Sequence, residues 1–423
     1  MATILKAGNV ASGAQITSDA TGILEIKTGT GAGTTAITVG TDQAVTFAAG
    51  TTVSSLTTSG AVSAGSLTVN SNNISAVNSL GFRNRIINGD MRIDQRNNGA
   101  SVTGNNQIFP VDRWVIGASQ TSKLTAQRNL NSVTPPTGFS NYMGFSSSSA
   151  YSLTSTDEFE IIQYIEGFNT ADLGWGNANA QTITLSFWVR SSLTGTFGGS
   201  LSNHDGNRGY AFSFVINAAN TWEYKTITIA GDTTGTWQTG NLKGITVMFS
   251  LGAGSSLLAA AGSWGASFPR GATGQTNLVS TNGATFYITG VQLEAGSVAT
   301  PFERRDYGRE LIMCQRYYQQ YGGDDLYAPV APLSIASGAT DVKCIFVFPV
   351  QMRVSPSFAQ STLQLADSAS SFTVTGVSQS ANEQSRKACN INFSVASGLT
   401  QYRTYWVRTN NNASGYLAIS AEL

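Results

Sequence analysis

Thr182-Ile183-Thr184-Leu185-Ser186-Phe187-Trp188-Val189-Arg190 is the stretch on which the fold turns. Apolar side chains fall at every second position, with hydroxyls between them. A period of two sends alternate side chains to opposite faces of a strand, one toward a core and one outward. Either Phe187 or Trp188 must therefore face that core. Residues 210–216, 222–229, 245–251 and 286–293 repeat the alternation, with Gly, Asn and Asp clusters between them. Many short alternating strands joined by polar turns predict a β-sandwich over residues 81–302. The same region holds six of the seven tryptophans, the large rings such a core requires.

Toward the N-terminus the chemistry changes. Residues 1–80 carry one aromatic, Phe47, and five charges: Lys6, Asp19, Glu25, Lys27 and Asp42. Apolar residues still alternate with small polar ones at Ile37 and Val39, Val45 and Phe47, and Leu67 and Val69. Strands so short and so sparsely apolar cannot enclose a core alone. Three copies could share one around a common axis, which predicts an extended trimeric β shaft. The competing reading is a flexible Ser/Thr/Gly linker.

Toward the C-terminus, residues 303–321 predict a short connecting helix. Tyr307, Leu311, Cys314, Tyr318 and Tyr321 recur at steps of four and three, an apolar seam that could join copies of the chain or pack on its own sandwich. Gly322-Gly323 closes it. Residues 322–423 return to strands, at 342–350, 372–377, 391–395, 402–407 and 416–423, and predict a smaller β-sandwich. The fold class is all-β.

Composition limits function. Charged residues are 11% of the 423 and balance to zero, so no basic stripe exists for nucleic acid. No apolar run approaches the ~20 residues of a spanning helix, so membrane insertion is not expected. The first residues, Met1-Ala2-Thr3-Ile4-Leu5-Lys6, lack a signal-peptide core. Cys314, Cys344 and Cys389 show neither metal-ligand spacing nor an even count for disulfides, and free thiols fit assembly in a reducing cytoplasm.

Three segments carry a resemblance. They are Phe82-Arg83-Asn84-Arg85-Ile86-Ile87-Asn88-Gly89-Asp90-Met91-Arg92-Ile93-Asp94-Gln95-Arg96 with Val111-Asp112-Arg113-Trp114; Thr285-Phe286-Tyr287-Ile288-Thr289-Gly290-Val291-Gln292-Leu293-Glu294-Ala295-Gly296; and Pro301-Phe302-Glu303-Arg304-Arg305 with Cys314-Gln315-Arg316-Tyr317-Tyr318. In order and wording they resemble bacteriophage tail fibre proteins, and the frame resembles jelly-roll carbohydrate-binding modules. The ending Ala421-Glu422-Leu423 is of the same kind. The resemblance implies a homotrimer on the virion, assembled in the host cytoplasm. Its N-terminus would dock to other tail or baseplate proteins, and its C-terminal tip would touch a host cell-surface glycan or envelope protein. Many such modules use an Asp in the late strand to hold structural calcium; here that position is Thr289. Oxygen ligands would have to come from Asn88, Asp90 or carbonyls, and no metal or cofactor is expected.

Catalysis finds little to work with. The one histidine, His204, sits in a turn-forming Ser202-Asn203-His204-Asp205-Gly206-Asn207 run, with no nucleophile elbow near it. A glycan-cleaving enzyme needs two carboxylates a few ångströms apart, and Asp157-Glu158-Phe159-Glu160 is the densest acidic group. The reading is therefore not an enzyme, with a structural baseplate component or a polysaccharide depolymerase as alternatives. Receptor-contact candidates are the loop aromatics Trp264 and Tyr327, Asp324-Asp325 beside the latter, and the amides of Asn410-Asn411-Asn412.

Overall fold

The computed structural model describes residues 82–423 and, before them, the backbone of four strands. Those strands, Gln15–Ser18, Leu24–Thr28, Thr34–Val39 and Val45–Phe47, pair antiparallel in chain order within a unit spanning Met1–Ser75. The trimeric shaft expected of residues 1–80, and the alternation at Leu67 and Val69, lie outside the described residues.

The second unit is nearly all β, and its first part is a jelly-roll sandwich. One sheet crosses in the order Trp264–Gly265, Gly209–Ile216, Gly195–Ser202, Lys243–Ala253, Glu158–Glu166, Trp114–Ala118 and Ile108–Val111. The facing sheet runs Glu223–Ile229, Ile183–Ser191, Thr285–Ala295, Met143–Ser147, Leu124–Arg128 and Val102–Thr103. The deciding stretch does what its period dictates. Ile183, Leu185, Phe187 and Val189 are fully enclosed, against Leu201, Val247 and Phe249 of the opposite sheet. Each such side chain contributes roughly 1.5–3 kcal/mol on burial. Phe187 meets Phe214 and Phe249 edge to face at 5.0 and 4.9 Å. Phe187 is thus the inward ring of the pair and Trp188 the outward one.

The helix is shorter than its spacing suggested. It covers Tyr307–Gln315, with the Asp306 side chain accepting from the Arg309 amide at its N-terminus. Tyr318–Gly322 is a strand instead, paired along its length with Tyr416–Ser420. A Tyr- and Gln-rich run suits a strand as well as a helix, and a whole edge of backbone partners decides for the strand. The five seam residues consequently do not share one helical face. Cys314 turns inward on Ile87, Ile93 and Tyr317, Tyr307 stays 58% exposed, and Leu311 flanks the inward cluster. Tyr318 and Tyr321 belong to the strand, and Tyr321 packs on Phe346 at 5.1 Å.

The C-terminal part corrects a second expectation. Instead of a smaller sandwich, Ser334–Ala336, Asp341–Val347, Ala388–Val395, Ser371–Gln384, Leu363–Ala366 and Thr404–Thr409 close into a barrel. The reason is that Thr404–Thr409 pairs on both sides, with Ser334–Ala336 and with Leu363–Ala366, so the barrel keeps no open edge. Beside it, Tyr318–Gly322, Tyr416–Ser420 and Ser357–Ser361 form a three-stranded sheet.

Sandwich and barrel are joined by the segments that carried the resemblance. Asn88, fully buried, donates to the Ile93 and Asp112 carbonyls at 2.8 and 2.9 Å, and its own carbonyl accepts the Trp114 indole N–H at 3.0 Å. Arg305 donates to the Ile86 and Asn84 carbonyls beside Glu303 and Glu310. Arg113 pairs with Glu422 and stacks on Tyr317 at 3.6 Å. Arg353 donates to the Ala421 and Glu422 carbonyls. These residues are structural fasteners: buried polar groups retained because each meets a partner.

Candidate functional site

The outward face of the second sheet carries a groove of about 440 Å³, lined by Phe139, Ser186, Trp188, Tyr224, Gly290, Thr300, Phe302 and Arg304, with Ala299 and Pro301. Its floor comes from strand pairing. Trp188 lies opposite Tyr224 on one side and Thr289 on the other, so both rings rise from the same face. They sit 5.4 Å apart at 47°. Next to Trp188 the register slips by one residue, a β-bulge centred on Gly290, whose φ is +62°. Glycine is required twice over there. The conformation is left-handed, and a Cβ would lie 2.6 Å from Phe139 and 3.2 Å from Trp188.

Two flanking segments make the walls. The Phe139 loop is held by Asn129, whose amide N–H donates to the Tyr142 carbonyl, and by Trp222, whose indole N–H reaches the Thr134 carbonyl at 2.9 Å. The opposite wall is tied down through Thr300, whose amide and hydroxyl donate to buried Glu294 at 2.8 and 2.6 Å. Phe139 and Phe302 meet edge to face at 5.3 Å across the groove. Arg304 lies over Phe139 at 4.7 Å and over Phe302 at 5.7 Å.

The hydrogen-bond inventory separates this groove from other aromatic clusters. Five tryptophans spend their indole N–H inside the protein: Trp114, Trp175, Trp222, Trp237 and Trp264 donate to carbonyls at 2.8–3.2 Å. Among the described residues, only Trp188 and Trp406 have no protein acceptor. The Tyr224 and Ser186 hydroxyls are likewise without a protein partner. A partly apolar groove with a few unspent polar groups is the usual make-up of a small-molecule site. Flat ring faces accept the apolar side of a sugar, and the free donors suit its hydroxyls.

The structure scatters the residues expected from sequence. Trp264 is half-buried in a triangle with Trp175 and Trp237, at 5.2 and 5.4 Å, which caps one end of the sandwich core. The other candidates come together at one end of the barrel. The Thr409 hydroxyl donates to the Asp325 carbonyl and accepts from the Ala328 amide. Asp324, Asp325 and Tyr327 are exposed on that turn, and Arg408 lies over the Tyr327 ring at 4.9 Å. Asn410 follows directly, its amide donating to the Thr362 carbonyl. Asn411 is exposed with φ +34°. The Asn412 side-chain oxygen accepts from the Ser414 amide. Sequence reasoning missed Trp188, Tyr224, Phe139, Phe302 and Arg304 as a group. The one signal was Gly290, a glycine interrupting an otherwise continuous strand.

The acidic group is accounted for structurally. Burial pushes the Asp157 carboxyl up, but hydrogen bonds from Thr154, Ser119 and Tyr151 outweigh it and hold it well below the usual range. Glu158 pairs with Arg270 at 2.7 Å. Burial pushes Glu160 up to about 8, with Arg270 offsetting part of it at 3.7 Å. At Thr289, the hydroxyl donates to the Asn141 carbonyl at 2.7 Å. Among the described residues, no group of three or more His, Cys, Asp or Glu is placed to hold a metal.

No protein-family model and no curated protein matches this chain. Among solved structures it is similar to the enzymatically active domain of tailspike protein 4 of bacteriophage CBA120, at 14% identity and a TM-score of 0.29, over 50% of this chain and 21% of that one. It is also similar to a family 4 carbohydrate-binding module, at 15% identity and a TM-score of 0.26, over 49% of this chain and 98% of the module. A family 11 carbohydrate-binding module from Clostridium thermocellum is 12% identical with a TM-score of 0.24, over 47% of this chain and 98% of the module.

Proposed function

We propose that this chain is a non-enzymatic adhesin of a bacteriophage tail fibre, a homotrimer that attaches the virion to its host by binding a cell-surface glycan through the sandwich groove. The observation that carries the glycan reading is Trp188: an outward ring beside Tyr224, in a walled groove, with its N–H unspent. The fibre reading comes from the wording of residues 82–320. Self-association is supported by an apolar stripe on the barrel, where Ile335, Ile345, Val347 and Trp406 are 52–70% exposed on paired strands. Exposed apolar rows of this kind mark protein contacts. The barrel-end turns carrying Asp324, Asp325, Tyr327 and Asn410–Asn412 are a second contact surface in this reading. Single saccharide contacts are weak, and linking several sites can raise overall binding by about 10²–10⁴.

The test is adsorption. Purified chain should compete with virus for host cells, and Trp188→Ala should lose that competition while keeping its unfolding temperature within a few degrees. Equal competition by the variant would refute the groove as the contact.

A further inference from the structure

Resting on the saccharide reading of the groove, we infer that its ligand is an anionic sugar, a pyranose bearing a carboxylate of the uronic-acid kind. The argument begins from Arg304. The arginines around it are spent: Arg305 on Glu303 and Glu310, Arg92 on Asp90, Arg85 on Asp172. Arg304 makes no ion pair and no hydrogen bond among the described residues. Its guanidinium carbon lies 4.7 Å from the centre of the Phe139 ring and 5.7 Å from that of Phe302, at the groove mouth. Arg304 is exposed, and an exposed guanidinium with no partner has its N–H fork available, the group that meets a carboxylate with two parallel bonds.

The lining of the groove points the same way. Arg83, beneath the same wall, donates to the Thr300 hydroxyl and the Pro301 carbonyl and has no counter-ion. The nearby acids are committed elsewhere. Glu294 accepts from Gln292 and Thr300, Glu303 from the Asn84 amide and Arg305, and Asp90 pairs with Arg92, feeling the Arg304 charge more weakly. Arg304 is the one charged residue among those lining the groove, and no carboxylate lines it. A sugar ring on Trp188 and Tyr224 would place a ring substituent toward Arg304, since all three line one cavity.

An array of matched neutral, carboxylated and phosphorylated saccharides tests this with the full chain, Arg304→Gln and Trp188→Ala, in low and high salt. The expected result is signal on carboxylated saccharides, weakened by salt, lowered roughly tenfold or more by Arg304→Gln and abolished by Trp188→Ala. Signal on neutral saccharides that Trp188→Ala abolishes and Arg304→Gln leaves intact overturns the anionic inference and keeps the groove. A preference for phosphorylated saccharides overturns the carboxylate assignment. No signal sensitive to Trp188→Ala overturns the proposed function itself.

Discussion

Replacing Gly290 with alanine should damage the groove far more than the fold. At φ +62° an L-residue costs about 1–2 kcal/mol. For a folded unit of this size that lowers the unfolding temperature by a few degrees, at roughly 2–4 °C per kcal/mol. The added methyl would also sit 2.6 Å from Phe139 and 3.2 Å from Trp188. Carbon contacts settle at about 3.5–4.0 Å, so the Phe139 ring must retreat by roughly 1 Å. Losing the arrangement of such rings removes about 0.5–1.5 kcal/mol per pair, close to tenfold in affinity at the upper end. Gly283→Ala is the control. Its φ is +71° and nothing lies within 4 Å of the added atom, so it carries the backbone strain without the ring clash. Thermal unfolding with saccharide titration should show similar temperature losses for both variants and an affinity loss for Gly290→Ala alone. Equal affinities would refute the claim that this bulge shapes a binding site.

Other expectations concern the frame. Glu160 has a folded pKa of about 8, raised from 4.5 by burial. The sign follows: the folded state holds this proton more tightly than the unfolded chain, so stability present below pH 4.5 is lost as pH rises through about 8. Glu160→Gln should therefore flatten the fall of unfolding temperature between pH 5 and 8.5; an unchanged slope would contradict it. Glu422→Gln leaves buried Arg113 without its carboxylate and should cost about 3 kcal/mol, the low end for a broken buried pair. In denaturant titration, Arg113→Met with Glu422→Leu should recover much of that loss. All three thiols are buried, with burial pushing Cys389 up to about 11 and Cys314 and Cys344 upward as well. A thiol reagent should label none of them in the native protein and all three in denaturant.

How far the sequence could be read depended on whether the deciding interaction was local. The alternation at 182–190 marked its strand correctly because a two-residue period is written in the residues themselves. Which of Phe187 and Trp188 faced the core was not, since the answer depends on a partner sheet. The seam from Tyr307 to Tyr321 failed for a similar reason. Spacings of three and four fit a helix, yet Tyr318–Gly322 finds its partners at Tyr416–Ser420, about a hundred residues on. Barrel closure is equally remote, resting on Thr404–Thr409 pairing with two distant strands. The groove was missed because its five key residues come from four separate segments. They meet only once Gly290 bends the strand and Thr300 ties down the wall.

The most direct test of the groove is fluorine NMR of the full chain with every tryptophan replaced by its 5-fluoro analogue, resonances assigned by single Trp→Phe variants. Trp188 is the one unspent indole inside the groove, whereas Trp406, on the barrel, is outside it. Saturating host polysaccharide should move the Trp188 resonance and leave that of Trp406 in place. Saturated binding with Trp188 unmoved would place the saccharide elsewhere and end the account given for this site.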